Sequence, residues 1–201
     1  MPFNVSDFRS RALPFGGARP TNFNILLSPP ATIGNGAATT EKLSLVAQSS
    51  QLPPMTLGQI EVPYFGRKIK LQGDRTYPDW TVTIMNDEDF DIRSMFEAWS
   101  NKMNAIVSNR SDFGSNPLAY KVDAIVNQYG KAGPNGESGI IRSYKFVGAW
   151  PSTISAINLD WSQTNTIETF DVTLTYDWWE PVQFGLGEVY QPTLPENGQR
   201  N

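Results

Sequence analysis

Asp160, Glu168 and Asp171 lie close together in a 201-residue chain that carries six tryptophans. Paired carboxylates near indole rings are the equipment of a glycoside hydrolase, which needs its two carboxyl groups roughly 5–9 Å apart. Nothing in the spacing fixes such a pair, and an acidic β-rich chain offers neighbouring carboxylates by chance. Asp87, Glu88, Asp89 and Asp91 form a second cluster, and hard cations take several oxygen ligands. Calcium loops, however, spread their ligands over about twelve residues around a central glycine. Here the acids crowd together, so helix capping is the simpler account. Arg67, Lys68, Lys70 and Arg75 are interleaved with Tyr64, Phe65 and Tyr77, a small version of a nucleic-acid patch. The chain has 16 basic and 20 acidic residues, a net charge of −4. Binding to phosphates runs on excess lysine and arginine, so a solvated face or a protein contact is the better reading of that cluster. Gly16-Gly17 is too short and misplaced to cradle a phosphate. The chain has no histidine and no cysteine. That removes Ser-His triads, histidine relays, His-ligated zinc, thiolate chemistry and disulfides. No catalytic, metal or cofactor site is legible.

The elements around these residues are mostly strands. Ile60 and Val62 lead to a turn at Tyr64-Phe65-Gly66, and Ile69 and Leu71 continue beyond it. Strands are expected near 22–27, 42–48, 57–63, 67–72, 79–85, 120–127, 140–150 and 154–159. In 80–84, Trp80, Val82 and Ile84 alternate with Thr81 and Thr83, the period of a strand with one buried face. The clearest strand is 166–178. Phe170, Val172, Leu174, Tyr176 and Trp178 fall on one face, with Thr169, Asp171, Thr173, Thr175 and Asp177 on the other. Trp178 is thus expected in the core and Trp179 at the surface. One helix is expected over about 88–104, because Ile92, Phe96, Trp99, Met103 and Ile106 recur at helical spacing. Asp87 is its expected N-cap, and acids in the first turn suit the helix dipole. Segments 28–40 and 129–139 read as loops on their glycine, proline and asparagine content. The pattern is mainly antiparallel β with one packed helix.

Several blocks resemble the tail-tube proteins of contractile-tailed bacteriophages (myoviruses). They are Val62-Pro63-Tyr64-Phe65-Gly66-Arg67-Lys68-Ile69-Lys70, Gly73-Asp74-Arg75-Thr76, Trp80-Thr81-Val82-Thr83-Ile84 and Asn86-Asp87-Glu88-Asp89-Phe90. Phe8-Arg9-Ser10 with Gly16-Gly17-Ala18-Arg19-Pro20 resembles the family's N-terminal arm. Thr169-Phe170-Asp171-Val172-Thr173-Leu174 resembles its last core strand. No single block is specific; the ordered set is.

The resemblance implies a β-sandwich or split barrel with a helix at its side. It implies subunits that close into six-membered rings, whose inner strands form one continuous β-barrel. Those rings would stack head-to-tail into a hollow cylinder inside a sheath. The implied partners are other copies of this chain, the tail sheath protein, the baseplate and the tail-terminator proteins. The tape measure protein and genomic DNA would pass through the lumen without specific binding. A single domain over 1–201 is expected: an arm over 1–20, a β core over 21–181 and a tail over 182–201. Hydrophobic residues are 39% of the chain, which leaves length for arms and loops. No apolar run approaches the roughly 18 residues of a membrane helix. No hydrophobic signal segment opens the N-terminus, so no membrane anchor is expected and assembly in the host cytoplasm is.

Two surface assignments follow as expectations. Thr81, Thr83, Asp171, Thr173 and Thr175 should meet water, with the lumen as the candidate. Arg67, Lys68, Lys70 and Arg75 on one segment, and Asp87 and Asp89 on another, should meet between stacked rings. Segregated opposite charges suit a head-to-tail contact. Two rival functions stay open: a tube protein of a related secretion or injection machine, and a secreted carbohydrate-binding β-sandwich. The second needs a signal sequence and an exposed aromatic platform.

Overall fold

A computed structural model describes residues 4–13, 17–34, 36–130 and 139–182. Most of the expected loop over 129–139, and the tail beyond 182, lie outside the described residues. The N-terminal segment forms a helical turn, α1 (Val5–Asp7), that runs into a π-helical turn at Phe8–Ala12. Then come β1 (Phe23–Leu27), a 3-10 turn (Ala31–Ile33), α2 (Gly36–Val46), β2 (Ala47–Ser50), β3 (Thr56–Tyr64), β4 (Arg67–Thr76), β5 (Trp80–Met85) and α3 (Asp91–Met103). A 3-10 turn (Pro117–Ala119), β6 (Val122–Tyr129), β7 (Ile140–Ile154), β8 (Thr169–Thr175) and β9 (Trp178–Val182) complete it.

Seven strands form one antiparallel sheet in the order β1-β6-β7-β8-β5-β2, with β9 also paired to β7. The long strand β7 joins its two halves. Its first part pairs with β6 and β9, and its last residues, from Trp150 to Ile154, pair with β8. The halves fold toward one another, so that Trp80 of β5 stacks on Phe146 of β7, centroids 4.2 Å apart. Ile25, Leu27, Ala124 and Val126 come from one half, and Val82, Ile84, Phe170, Val172 and Leu174 from the other. Alternation makes this possible, since every second side chain of β5 and β8 is buried. α3 closes the core with Ile92, Met95, Phe96 and Trp99, and the Trp99 indole N–H donates to the Tyr120 carbonyl at 3.1 Å.

Several expectations change. Segment 42–48 is not one strand: α2 occupies it to Val46, and the strand starts at Ala47. The short apolar run 43–47 fits either period. Packing decides for the helix, burying Leu43 and leaving Leu45 74% exposed. The segment 28–40 is accordingly part loop and part helix. The residue before α3 is Phe90 in the left-handed region (φ 53), with no side-chain cap. Asp87 does not cap α3. Its carboxylate accepts from the Glu88 N–H at 2.8 Å and pairs with Lys42 at 2.8 Å. Ile106 lies beyond the helix end and is exposed. The expected strand 154–159 is absent past Ile154.

The expected strand 166–178 is two strands. Tyr176 completes the buried face of β8, and its hydroxyl donates to the Pro78 carbonyl at 2.8 Å. At Asp177 the chain bends, its N–H donating to the Val147 carbonyl at 3.0 Å. β9 then runs along the other part of β7. The bend shifts the alternation by one. Trp178 is 45% exposed rather than core, while Trp179 packs edge-on against Tyr144, centroids 5.6 Å apart.

Candidate assembly surfaces

β3 and β4 form a two-stranded sheet of their own and, among the described residues, pack extensively against no other element. Phe65 and Gly66 turn the hairpin with φ of 42 and 76, the doubly positive pair of a type I′ turn. At the other end Gly58 and Gly73 face each other at a register shift, where a Cβ on Gly73 would lie 3.0 Å from the Gly58 carbonyl carbon. Only glycines let the backbones approach so closely. Cross-strand pairing gives the hairpin two unlike faces. Ile60 opposes Leu71, Val62 opposes Ile69 and Tyr64 opposes Arg67 on one face; Gln59 opposes Gln72, Glu61 opposes Lys70 and Pro63 opposes Lys68 on the other. The four aliphatic side chains of the first face are 41–54% exposed. Two-stranded hairpins are marginal in isolation, and an uncovered apolar ladder of this kind marks an interaction surface.

The basic residues therefore divide. Arg67 lies on the apolar face and Lys68 and Lys70 on the polar one, while Arg75 stands opposite Leu57 beyond the glycine crossing. The Lys68 ammonium donates to Glu61 at 2.6 Å. The acidic cluster is neutralised in part from α2. Lys42 reaches Asp87 and Asp91 at 2.8 Å each and Asp89 at 3.8 Å. These bonds raise the Lys42 pKa, and the Lys42 ammonium draws Asp87 below its ordinary 3.8. With Glu88, the group still carries three more negative charges than positive ones. Among the described residues no ion pair joins the hairpin to this cluster, so the structure does not bring the two sets together within one subunit. Lys42 escaped sequence reading because its acidic partners are far from it in the chain.

The Thr/Asp set does converge. Thr83 donates to Asp171 at 2.7 Å, the Thr81 and Thr173 hydroxyls lie 3.4 Å apart, and Thr175 donates to Asp79 at 3.0 Å. All stand on the polar face of the β5–β8 pair, with Thr81 opposite Thr173 and Thr83 opposite Asp171. Thr83, Thr175 and one of the Thr81–Thr173 pair spend their hydroxyl protons inside the ladder, so this face shows water mainly acceptors.

The carboxylates that invited a hydrolase reading go separate ways. Asp171 accepts from Thr83, Glu168 from Asn86, and Asp160 from Ser162. None lines either of two surface cavities among the described residues, of about 410 and 500 Å³.

Residues 18–181 match the family described as phage tail tube protein. Over 140 residues the chain is 36% identical to the tail tube protein gp19 of Enterobacteria phage T4, covering 70% of this chain and 82% of that one. The chain belongs to the phage tail tube family. The tail tube protein of Serratia phage KSP90 is 26% identical over 173 residues, covering 86% of this chain and 93% of that one. Among solved structures, the fold resembles a chain of the anti-feeding prophage baseplate at a TM-score of 0.59 and 11% identity, covering 83% of this chain and 95% of that one. It also resembles a chain of the sheath–tube complex of the PVC extracellular contractile injection system, at 0.52 and 14%, over 91% of this chain and all of that one. The protein is thus a structural component of a contractile virion tail. No helix among the described residues is long and apolar enough to cross a membrane.

Proposed function

We propose that the chain closes into six-membered rings that stack head-to-tail as the inner conduit of the tail. The observation that carries this is the hairpin β3–β4, whose apolar face no part of the described chain covers. A surface of this kind is satisfied by another copy. Both ends of the main sheet are also open, at β1 and β2, and ring closure pairs edges that are otherwise an association liability. A contact between unlike surfaces need not close on itself, and so yields a filament.

The Thr81, Thr83, Asp171, Thr173 and Thr175 face suits a lumen. It is hydrated, acceptor-rich and offers phosphates no cation, so DNA and the tape measure protein pass without gripping. Stacking brings Lys68, Lys70 and Arg75 toward the acidic cluster of the next ring, where Asp89 is the freer of Asp87 and Asp89, while Arg67, on the hairpin's other face, meets a different acid of a neighbouring copy. The outer surface meets the sheath, and the ends of the tube meet the baseplate and the terminator. The subunit catalyses no reaction in this role. The injection-system structures share the fold; the phage relatives, at higher identity, favour DNA as cargo.

Sedimentation and negative-stain microscopy of the purified protein test the reading. Rings, and tubes of uniform bore at higher concentration, are expected. A monomer that persists at the highest soluble concentration overturns it.

A further inference from the structure

Trp161 is fully exposed, and Leu159 beside it is 82% exposed. The turn that carries it is nonetheless fixed. The Ser162 N–H and hydroxyl both donate to the Asp160 carboxylate, at 2.9 and 2.8 Å, and the Gln163 N–H donates to the Asp160 carbonyl at 3.1 Å. These bonds also hold the Asp160 carboxyl below its usual range, and thus ionised. A large indole on a preformed turn, with a carboxylate at its base, is the anatomy of an interface anchor. Tryptophan dominates such contacts, and a preformed turn loses little entropy on docking.

The described chain holds a surface of matching chemistry. The ladder Ile60, Val62, Ile69 and Leu71 is aliphatic and uncovered, and Arg67 stands on the same face beside it. We propose that Trp161 of one copy lies on this ladder of a second copy, with that copy's Arg67 meeting both the indole ring and the Asp160 carboxylate. The aliphatic ladder covers the ring, the guanidinium stacks on its π-face, and the charge-assisted bond to Asp160 fixes the register. The two surfaces are unlike, so the contact propagates from copy to copy. This inference rests on the assembly reading and names the residue that the hairpin covers.

The absence of cysteine makes the test clean. A Trp161→Cys variant carries a single thiol, and it is mixed as a minor fraction into unaltered protein before assembly. Its maleimide labelling is expected to slow by roughly tenfold or more in sheath-free tubes relative to free subunits, as for a buried anchor. Tubes containing a V62C/W161C variant, treated with a short bismaleimide, are expected to give a ladder of covalent multimers, and tubes with either single variant none. Tubes in which the introduced thiol of the Trp161→Cys variant labels as fast as in free subunits overturn the contact alone, as does protection without the ladder. If the unaltered chain forms neither ring nor tube, the assembly reading fails and this contact with it.

Discussion

Gly148 shows how one residue holds the bent sheet together. It lies in the middle of β7 with φ 69, where side chains are rarely tolerated, and a Cβ there would sit 2.5 Å from Asp177 Oδ2. Asp177 cannot easily retreat, because Lys121 holds both its carboxylate oxygens, at 2.6 and 2.9 Å. Gly148→Ala should therefore lower the unfolding free energy by about 1–3 kcal/mol, read from urea denaturation. Tyr176 gives a pH signature. Burial pushes its phenol from 10.0 up to about 12. Between those values the unfolded chain loses this proton and the folded one keeps it, so stability falls as pH rises through the window. Tyr176→Phe should flatten that part of the stability–pH profile; an unchanged slope would place the titration elsewhere. Asp87 has the opposite sign. Its lowered pKa means that the Lys42 contact supports the fold at neutral pH and is withdrawn as pH falls below 3.8 and through the folded value.

At the scale of elements, the hairpin is separable from the core. Reversing Arg67 and Lys68 to glutamate should leave the thermal midpoint nearly unchanged, because both are exposed and surface pairs contribute about 0–1 kcal/mol. Tube growth should stop, since each stacking step repeats the contact around the ring. Turbidity or microscopy of the folded variant checks this, and normal polymerisation removes charge from the stacking account. Reversing Asp89 is the cleaner partner experiment, because it stands 3.8 Å from Lys42, whereas Asp87→Lys would place a cation where the 2.8 Å contact is made. The same scale shows what the sequence disclosed. Trp80, Val82 and Ile84 announce β5 because one face is buried and alternation is strict. Ile92, Phe96 and Trp99 likewise announce α3. α2 was hidden because Leu43 and Val46 fit a helix as well as Leu43, Leu45 and Ala47 fit a strand. The kink at Asp177 was hidden because its cause lies across the sheet, in Val147 and Lys121. Alternation in 60–71 marks an apolar face but cannot tell whether that face meets its own core or another molecule. Of the surface sets, the Thr/Asp ladder was legible from period alone, whereas Lys42 and Trp161 needed coordinates.

At the scale of the whole molecule, a folded core carries uncovered surfaces that make sense only in company. The ladder of Thr83, Asp171 and its neighbours presents acceptors to water. If it lines the bore, Asp171→Lys should leave rings intact and slow DNA release, since each subunit then adds a cation that holds phosphate. Ejection kinetics from assembled particles check that expectation. Electron cryomicroscopy of tubes grown from the purified chain tests the central claim most directly. The account predicts stacked six-membered rings, with β3–β4 of each subunit packed on another copy and Asp171 facing the bore. Tubes in which that hairpin projects free into solvent, or in which Asp171 faces outward, would contradict it.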